Sequence, residues 1–262
     1  MNTTIKSTDI IALIDESEKT FILSPQNPTD KYKGIGVINP RDLIGKPYGI
    51  QITLGNKKFW PLPASMLDKI HGIKRKAQII LPQDAAQIII NCSIEPGQTI
   101  LEAGIGSASL TTALASIVGP TGKIISYDYR QEFIEHAQLN LKQAGLLSQV
   151  VIKNQDITKG INEKNLDAII LDIPNPWDTI SHVWNALRIG GYFCAYTPLI
   201  SQMEQTYHHL IAHPFIGINC QEQLHRKMIV AAHGTRPDFN MLGHTGYLTF
   251  ARKISSKITS PL

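Results

Sequence analysis

The chain has 262 residues, 43% hydrophobic and 18% charged, with 19 Gly, 15 Pro and a formal net charge of +4. That balance supports a sizeable buried core and excludes disordered, collagen-like and coiled-coil proteins. The first residues lack the apolar stretch of a signal peptide, and no run approaches the roughly 18 to 20 apolar residues of a membrane helix. Cys92, Cys194 and Cys220 are scattered without a C-x-x-C pair, so free thiols in a reducing cytoplasm are expected.

Charge is unevenly spread. Residues 1–78 carry twelve Lys and Arg against seven Asp and Glu, and residues 46–76 carry seven against Asp68 alone. Such a gradient points to a polyanionic partner on the first part of the chain, although solvated surface lysine gives the same count.

Residues 10–14, 20–23, 34–38, 50–54 and 58–62 are short β-branched runs, punctuated by Pro25-Gln-Asn-Pro28, Asn39-Pro40 and Gly55-Asn56. They predict a small antiparallel sheet or barrel. From about residue 65 helix and strand alternate. Helices are expected over 84–91, 110–117, 131–144, 179–187 and 202–212, with Pro82 suited to a helix start and Gly190-Gly191 closing the 179–187 segment. Strands are expected over 99–102, 123–127, 149–152, 168–171 and 192–196, followed by 217–223 and 246–251. Continuous apolar strands such as Ala168-Ile-Ile-Leu171 imply a parallel sheet covered on both faces. The expected organisation is a small β domain over 1–65 and an α/β domain over 66–262.

The most informative stretch is Thr99-Ile-Leu-Glu-Ala-Gly-Ile-Gly-Ser-Ala-Ser-Leu110, a buried strand ending in an acid, a glycine turn, then a helix. Gly104 and Gly106 allow a sharp turn and close approach of a ligand to the backbone. Dinucleotide enzymes use this geometry for a pyrophosphate with G-x-G-x-x-G. S-adenosylmethionine enzymes use a looser acid-x-G-x-G turn. Ser109 in place of the third glycine, and the negative Glu102, favour the phosphate-free methyl donor. A purely structural turn remains open.

Acids recur at the following strand ends. Asp128 closes the strand Ile124-Ile-Ser-Tyr-Asp128, where a carboxylate can accept both ribose hydroxyls of an adenosine; the same residue type also caps helices. Asp156, in Asn154-Gln-Asp156, is placed for an adenine amino group or for a turn. Asp172 ends the fourth strand, on a lip stiffened by Pro174 and Pro176, with Trp177 beside it as a stacking wall. A carboxylate in such a place can hold the exocyclic amino group of a flipped base.

Together, Leu101-Glu-Ala-Gly-Ile-Gly-Ser107, Leu171-Asp-Ile-Pro-Asn-Pro-Trp177 and Gly243-His-Thr-Gly-Tyr-Leu248 resemble the tRNA N1-methyladenosine methyltransferases that modify adenine 58 of the T-loop. The resemblance extends through Asp42-Leu-Ile-Gly-Lys46, Pro82-Gln-Asp-Ala-Ala86 and Arg236-Pro-Asp-Phe-Asn-Met-Leu242, covering most of the chain from about residue 31. It implies a class I, Rossmann-like methyltransferase fold with a small N-terminal β domain, S-adenosyl-L-methionine as cofactor, tRNA as partner, no metal and a cytoplasmic homotetramer. By the same resemblance Gly106, Ser107, Ala108 and Ser109 form the methionine-binding turn, and Glu102 and Gly104 also belong to the cofactor site. Asp128 is its ribose carboxylate, Phe133 lines the adenosine, Asp156 with Ile157 contacts the adenine, and Asp172 is the catalytic aspartate beside the methyl group. The family usually has G-S-G where this chain has Gly106-Ser-Ala108, Y-P-K-D where it has Leu81-Pro-Gln-Asp84, and an aromatic residue at Met228. A catalytically silent tRNA-binding subunit and an NAD-linked oxidoreductase are the alternative readings. His208, His209 and His213 read as a helix-end surface cluster, and His244 as a structural residue holding the last strands near the site.

Overall fold

The computed structural model describes residues 4–32 and 36–256. In the N-terminal part, β1 (Ile11–Asp15) and β2 (Thr20–Leu23) form a hairpin, and β3 (Asp30–Tyr32) pairs with β4 (Gly36–Ile38). The hairpin of β5 (Ile52–Leu54) and β6 (Lys57–Pro63) turns through Gly55-Asn56, with Gly55 at φ +60°, a value such two-residue turns demand. β6 also lies antiparallel along β1, giving the order β2-β1-β6-β5. Ile11, Leu13, Leu23 and Phe59 fill the inner side, and the Phe21 ring meets both Phe59 and Tyr32 edge-on. Of the expected run 34–38, residues 34 and 35 lie outside the described residues. The three-residue strand β3 is too short to carry a readable period.

Next, α1 (Met66–His71) begins with a capping box: Ser65 Oγ accepts the Asp68 N–H at 3.1 Å, and Asp68 Oδ2 accepts the Ser65 N–H at 2.9 Å. Its six residues escaped the periodicity reading. α2 (Pro82–Asn91) starts on Pro82, which needs no N–H there.

The second sheet is built from β7 (Thr99–Ala103), α3 (Ser109–Val118), β8 (Lys123–Asp128), α4 (Gln131–Gln143), β9 (Val150–Asn154) and β10 (Leu166–Leu171). α5 (Ile180–Ala186), β11 (Leu187–Thr197), α6 (Ile200–Ala212), β12 (Phe215–Glu222) and β15 (Tyr247–Lys253) complete it, while β13 (Met228–Ala231) and β14 (Gly234–Pro237) pair with each other as a separate hairpin. The order is β12-β15-β11-β10-β7-β8-β9. Successive strand residues point to opposite faces. Ile100, Ile124 and Ile170 therefore pack on one face with Ile88, Leu114 and Leu141, while Leu101, Ile125 and Ile169 pack on the other with Ile180, Val183 and Leu210.

Two expectations are corrected. The sheet is not wholly parallel, because β15 runs antiparallel to both β11 and β12. Only the β13–β14 hairpin separates β12 from β15, and a parallel return needs a crossover, usually a helix. Gly190-Gly191 does not end a helix either. The helix stops at Ala186, and the strand runs from Leu187 through both glycines across an irregularity in its pairing with β10. A Cβ on Gly191 would crowd the carbonyl oxygens of Arg188, Leu166 and Asp167, so the glycine serves strand packing. No helix among the described residues is long and apolar enough to cross a membrane.

Candidate active site

Strand order reverses at β7, which has β8 on one side and β10 on the other. Open α/β sheets collect ligands outside the carboxyl ends of strands at such a point. Here that edge holds a cavity of about 480 Å³ whose wall includes Gly104, Gly106, Asp128, Asp156, Ile157 and Asp172. Glu102, Ser107 and Ser109 line a small adjoining void together with Gly104, Gly106 and Asp172. Of the residues that the resemblance assigns to the cofactor, Ala108 and Phe133 border neither space.

The two glycines do different work. Gly104 has φ +94°, and a Cβ there would overlap the carbonyl of Asp172, whose N–H donates to Ala103 O at 2.9 Å. Its bare Cα lets the ends of β7 and β10 close on each other and sets Asp172 beside the turn. Gly106, at φ +49°, has open space where its Cβ would be, so its missing side chain leaves room for a ligand. Ala108 precedes α3 in the left-handed conformation, φ 64° and ψ 31°, and is wholly buried.

Both serine hydroxyls are engaged within the chain. Ser107 Oγ accepts the Lys76 N–H at 2.9 Å, and Ser109 Oγ donates to Ile80 O at 3.0 Å. Asn140 Nδ2 adds bonds to Lys74 O and Ser107 O at 3.1 and 3.0 Å. These bonds strap residues 74–80 over the turn and bring Gln78 to the junction of three spaces. The third is a cavity of about 130 Å³ bordered by Arg75, Leu81, Tyr196, Leu242 and Thr245.

Three carboxyl groups face this region. Glu102 is buried, and its Oε2 accepts from Thr111 Oγ1 at 2.7 Å and Ser126 Oγ at 3.1 Å. Burial pushes its pKa up to about 8 against those bonds, with Asp172 and Asp128 adding to the rise. Burial likewise pushes Asp172 up to about 6, opposed by Arg130 and helped by Asp128. Asp128 is also buried. Its Oδ1 accepts the Arg130 N–H and Nε, and its Oδ2 accepts Arg130 Nη2, all at 3.0 Å. The following helix starts only at Gln131 and carries no side-chain cap, so Asp128 is not its cap. Asp156 does serve as a turn residue, accepting the Thr158 N–H at 2.9 Å, while also bordering the cavity.

Two aromatic residues stand elsewhere than expected. The Phe133 ring packs against the core beneath the Arg130 guanidinium, 4.0 Å away, and it is Arg130 that reaches the cavity wall. Trp177 lies in a single 3-10 turn, Pro176–Thr179, leaving Ile173, Pro174 and Asn175 as the lip. Pro174 O accepts from Gln202 Nε2 at 2.7 Å, which ties that lip to α6. His244 bonds Glu222 Oε1 at 2.6 Å and Pro198 O at 2.8 Å, holding the rim from behind. Arg130, Gln78, Asn175 and Gln202 were not singled out in the sequence. Only Arg130 had a readable signal, a cation two residues after an acid at a strand end.

The site suits a ligand carrying positive charge, paired hydroxyls and no phosphate, since the carboxylates of Asp128 and Asp172 repel a pyrophosphate. Comparison with known proteins agrees. Residues 70–235 match the family model described as the tRNA methyltransferase complex GCD14 subunit. The chain is 31% identical over 267 residues to the tRNA (adenine(57)-N(1)/adenine(58)-N(1))-methyltransferase TrmI of Methanocaldococcus jannaschii, covering 92% of this chain and 93% of that one. Identity to the tRNA (adenine(58)-N(1))-methyltransferase TrmI of Thermus thermophilus is 30% over 182 residues, 69% of this chain and 71% of the relative. Among solved structures, a SAM-dependent O-methyltransferase of Thermotoga maritima aligns with TM-score 0.83 and 34% identity, over 98% of this chain and 97% of that one. The tRNA (m1A58) methyltransferase TrmI of Aquifex aeolicus aligns with TM-score 0.75 and 26% identity, over 97% and 100%.

Proposed function

Because the chain belongs to the GCD14 family of tRNA methyltransferases and is similar to TrmI enzymes along most of its length, we propose that it methylates N1 of adenine 58 in the T-loop of tRNA from S-adenosylmethionine. The observation that carries this reading is the gathering of Gly106, Asp128, Asp156 and Asp172, from four separate strand ends, around one cavity.

When bound, S-adenosylmethionine supplies a methyl group on a positively charged sulfur. The open space at Gly106 fits its methionine end, Asp128 is placed to accept ribose hydroxyls, and Asp156 with Ile157 borders the space for its adenine. Asp172 is the catalytic residue in this reading. Its carboxylate accepts from the N6 amino group of the target adenine, which orients N1 and offsets positive charge growing on the base. The target base leaves its stack to reach the pocket, a cost of a few kcal/mol offset by basic contacts to RNA. The small cavity beside Arg75, Leu81 and Tyr196 adjoins the cofactor space at Gln78.

The same reading makes residues 1–65 an RNA-facing β domain and 66–262 the catalytic domain, acting in the cytoplasm. It includes a homotetramer, supported by exposed apolar side chains in and just after the β13–β14 hairpin, Val230 at 79% and Phe239 at 78% exposed. Light scattering should find four copies. The main test is incubation with unmodified tRNA and S-adenosylmethionine, followed by chromatography and mass spectrometry of nucleosides. N1-methyladenosine is the expected product. A 2′-O-methylated nucleoside, which elutes apart from it, or no methylated product, overturns the reading.

A further inference from the structure

We propose that Arg130 sets cofactor affinity by competing with the cofactor ribose for the carboxylate of Asp128, and that its guanidinium swings off that carboxylate when the ribose binds. The proposal rests on the reading above, in which Asp128 receives the ribose hydroxyls.

Acceptor capacity carries the argument. A carboxylate offers about four lone-pair sites, two on each oxygen. Oδ1 of Asp128 already accepts twice from Arg130, through its backbone N–H and its Nε, each at 3.0 Å. Oδ2 accepts from Nη2 at 3.0 Å. A single site is left, on Oδ2, whereas a ribose 2′,3′-diol donates two hydrogen bonds. A grip on both hydroxyls therefore requires at least one guanidinium contact, from Nε or from Nη2, to break.

The guanidinium has a place to go. Its carbon lies 4.0 Å from the Phe133 ring centroid and 5.6 Å from that of Tyr129, and the side chain is 40% exposed. Rotation about its stem releases Asp128 while the charge stays over an aromatic face. The pairing also has a use of its own, because a buried carboxylate needs a partner in the free protein. Arg130 is thus a positioning residue with two arrangements, one forked on Asp128 and one released from it, the guanidinium keeping an aromatic face in both.

The test is calorimetric titration of S-adenosylmethionine and of the uncharged S-adenosylhomocysteine into wild type, Arg130→Ala and Arg130→Lys. With the competitor removed, Arg130→Ala should bind both ligands about 2- to 5-fold more tightly, the scale set by a partly exposed ion pair. Arg130→Lys keeps the charge without the fork and should fall between the two. In an Asp128→Ala background the same Arg130→Ala change should alter affinity by less than about twofold, since the contested carboxylate is gone. Unchanged or weaker binding by Arg130→Ala overturns the proposal and makes Arg130 part of the ribose grip. Tightening confined to S-adenosylmethionine also overturns it, because Arg130 would then oppose the sulfonium charge. Wild type that binds neither ligand defeats the methyltransferase reading itself, an outcome distinct from either of these.

Discussion

Two carboxyl groups in the site sit far from their usual titration range, and each has a measurable consequence. Asp172 can accept from an amino group only when ionised, and burial holds its pKa at about 6. The single-turnover methylation rate should therefore fall as pH drops through about 6, and Asp172→Ala should lower it about 10²- to 10³-fold at neutral pH. Stopped single-turnover assays between pH 5 and 8 check both, and a flat profile would remove Asp172 from the chemistry. Glu102 speaks to stability instead. Its carboxyl ionises near 8 in the fold against an ordinary 4.5. Between those values the folded state holds the proton more firmly than the unfolded chain, so this group lowers stability as pH rises from about 4.5 to about 8. Glu102→Gln keeps an acceptor for Thr111 and Ser126 but cannot ionise. Thermal unfolding should show the variant outlasting wild type at pH 8 to 9, with the gap closing toward pH 5; parallel curves would mean that Glu102 titrates normally.

At the scale of elements, the turn between β7 and α3 gathers three positive-φ residues, Gly104, Gly106 and Ala108, within five positions. Gly104 and Gly106 take positive φ without penalty, but Ala108 takes φ 64° with a side chain. A left-handed residue with a Cβ costs roughly 1–2 kcal/mol, and losing one buried methyl group gives back roughly 0.8 kcal/mol. Ala108→Gly, the residue usual at this place in the family, should on balance raise unfolding free energy by about 0.5–1 kcal/mol. Chemical denaturation decides it, and a loss of stability would show that the methyl packing outweighs the strain. The sequence exposed this turn through its glycines. It could not show that Gly104 is required by the neighbouring strand end at Asp172, because that demand comes from β10, far along the chain.

For the molecule as a whole, the charge gradient is the feature that bears on tRNA. The structure pairs Lys58 with Glu16 at 3.7 Å and Lys76 with Glu132 at 3.2 Å, both exposed. Exposed pairs are worth little, so they leave these lysines able to meet phosphate. Each phosphate contact contributes about −0.9 to the slope of log K against log salt on a duplex. Replacing Lys57, Lys58, Lys74 and Lys76 by Ala should flatten that slope by roughly 1–3 units while cofactor affinity stays put. Filter binding of one tRNA across a salt series measures it. Equal slopes would assign RNA docking to another face.

Local pattern was enough to determine that strands and helices alternate after residue 65, that a glycine turn follows the first strand of the second sheet, and that acids close the strands around it. Such features repeat within a few residues, and apolar period and turn chemistry record them directly. Packing alone decided the rest. Thr245 Oγ1 meets the buried Asp84 Oδ1 at 3.2 Å, and Asn140 holds Lys74, across separations that no periodicity spans. The antiparallel course of β15 followed from the lack of a crossover helix, and Phe133 yielded its place at the cavity to Arg130 because a guanidinium could bind Asp128 and cover the ring together. A residue's type and neighbours in sequence state what it can bind. Which partner it meets is settled only when distant segments are pressed into one core.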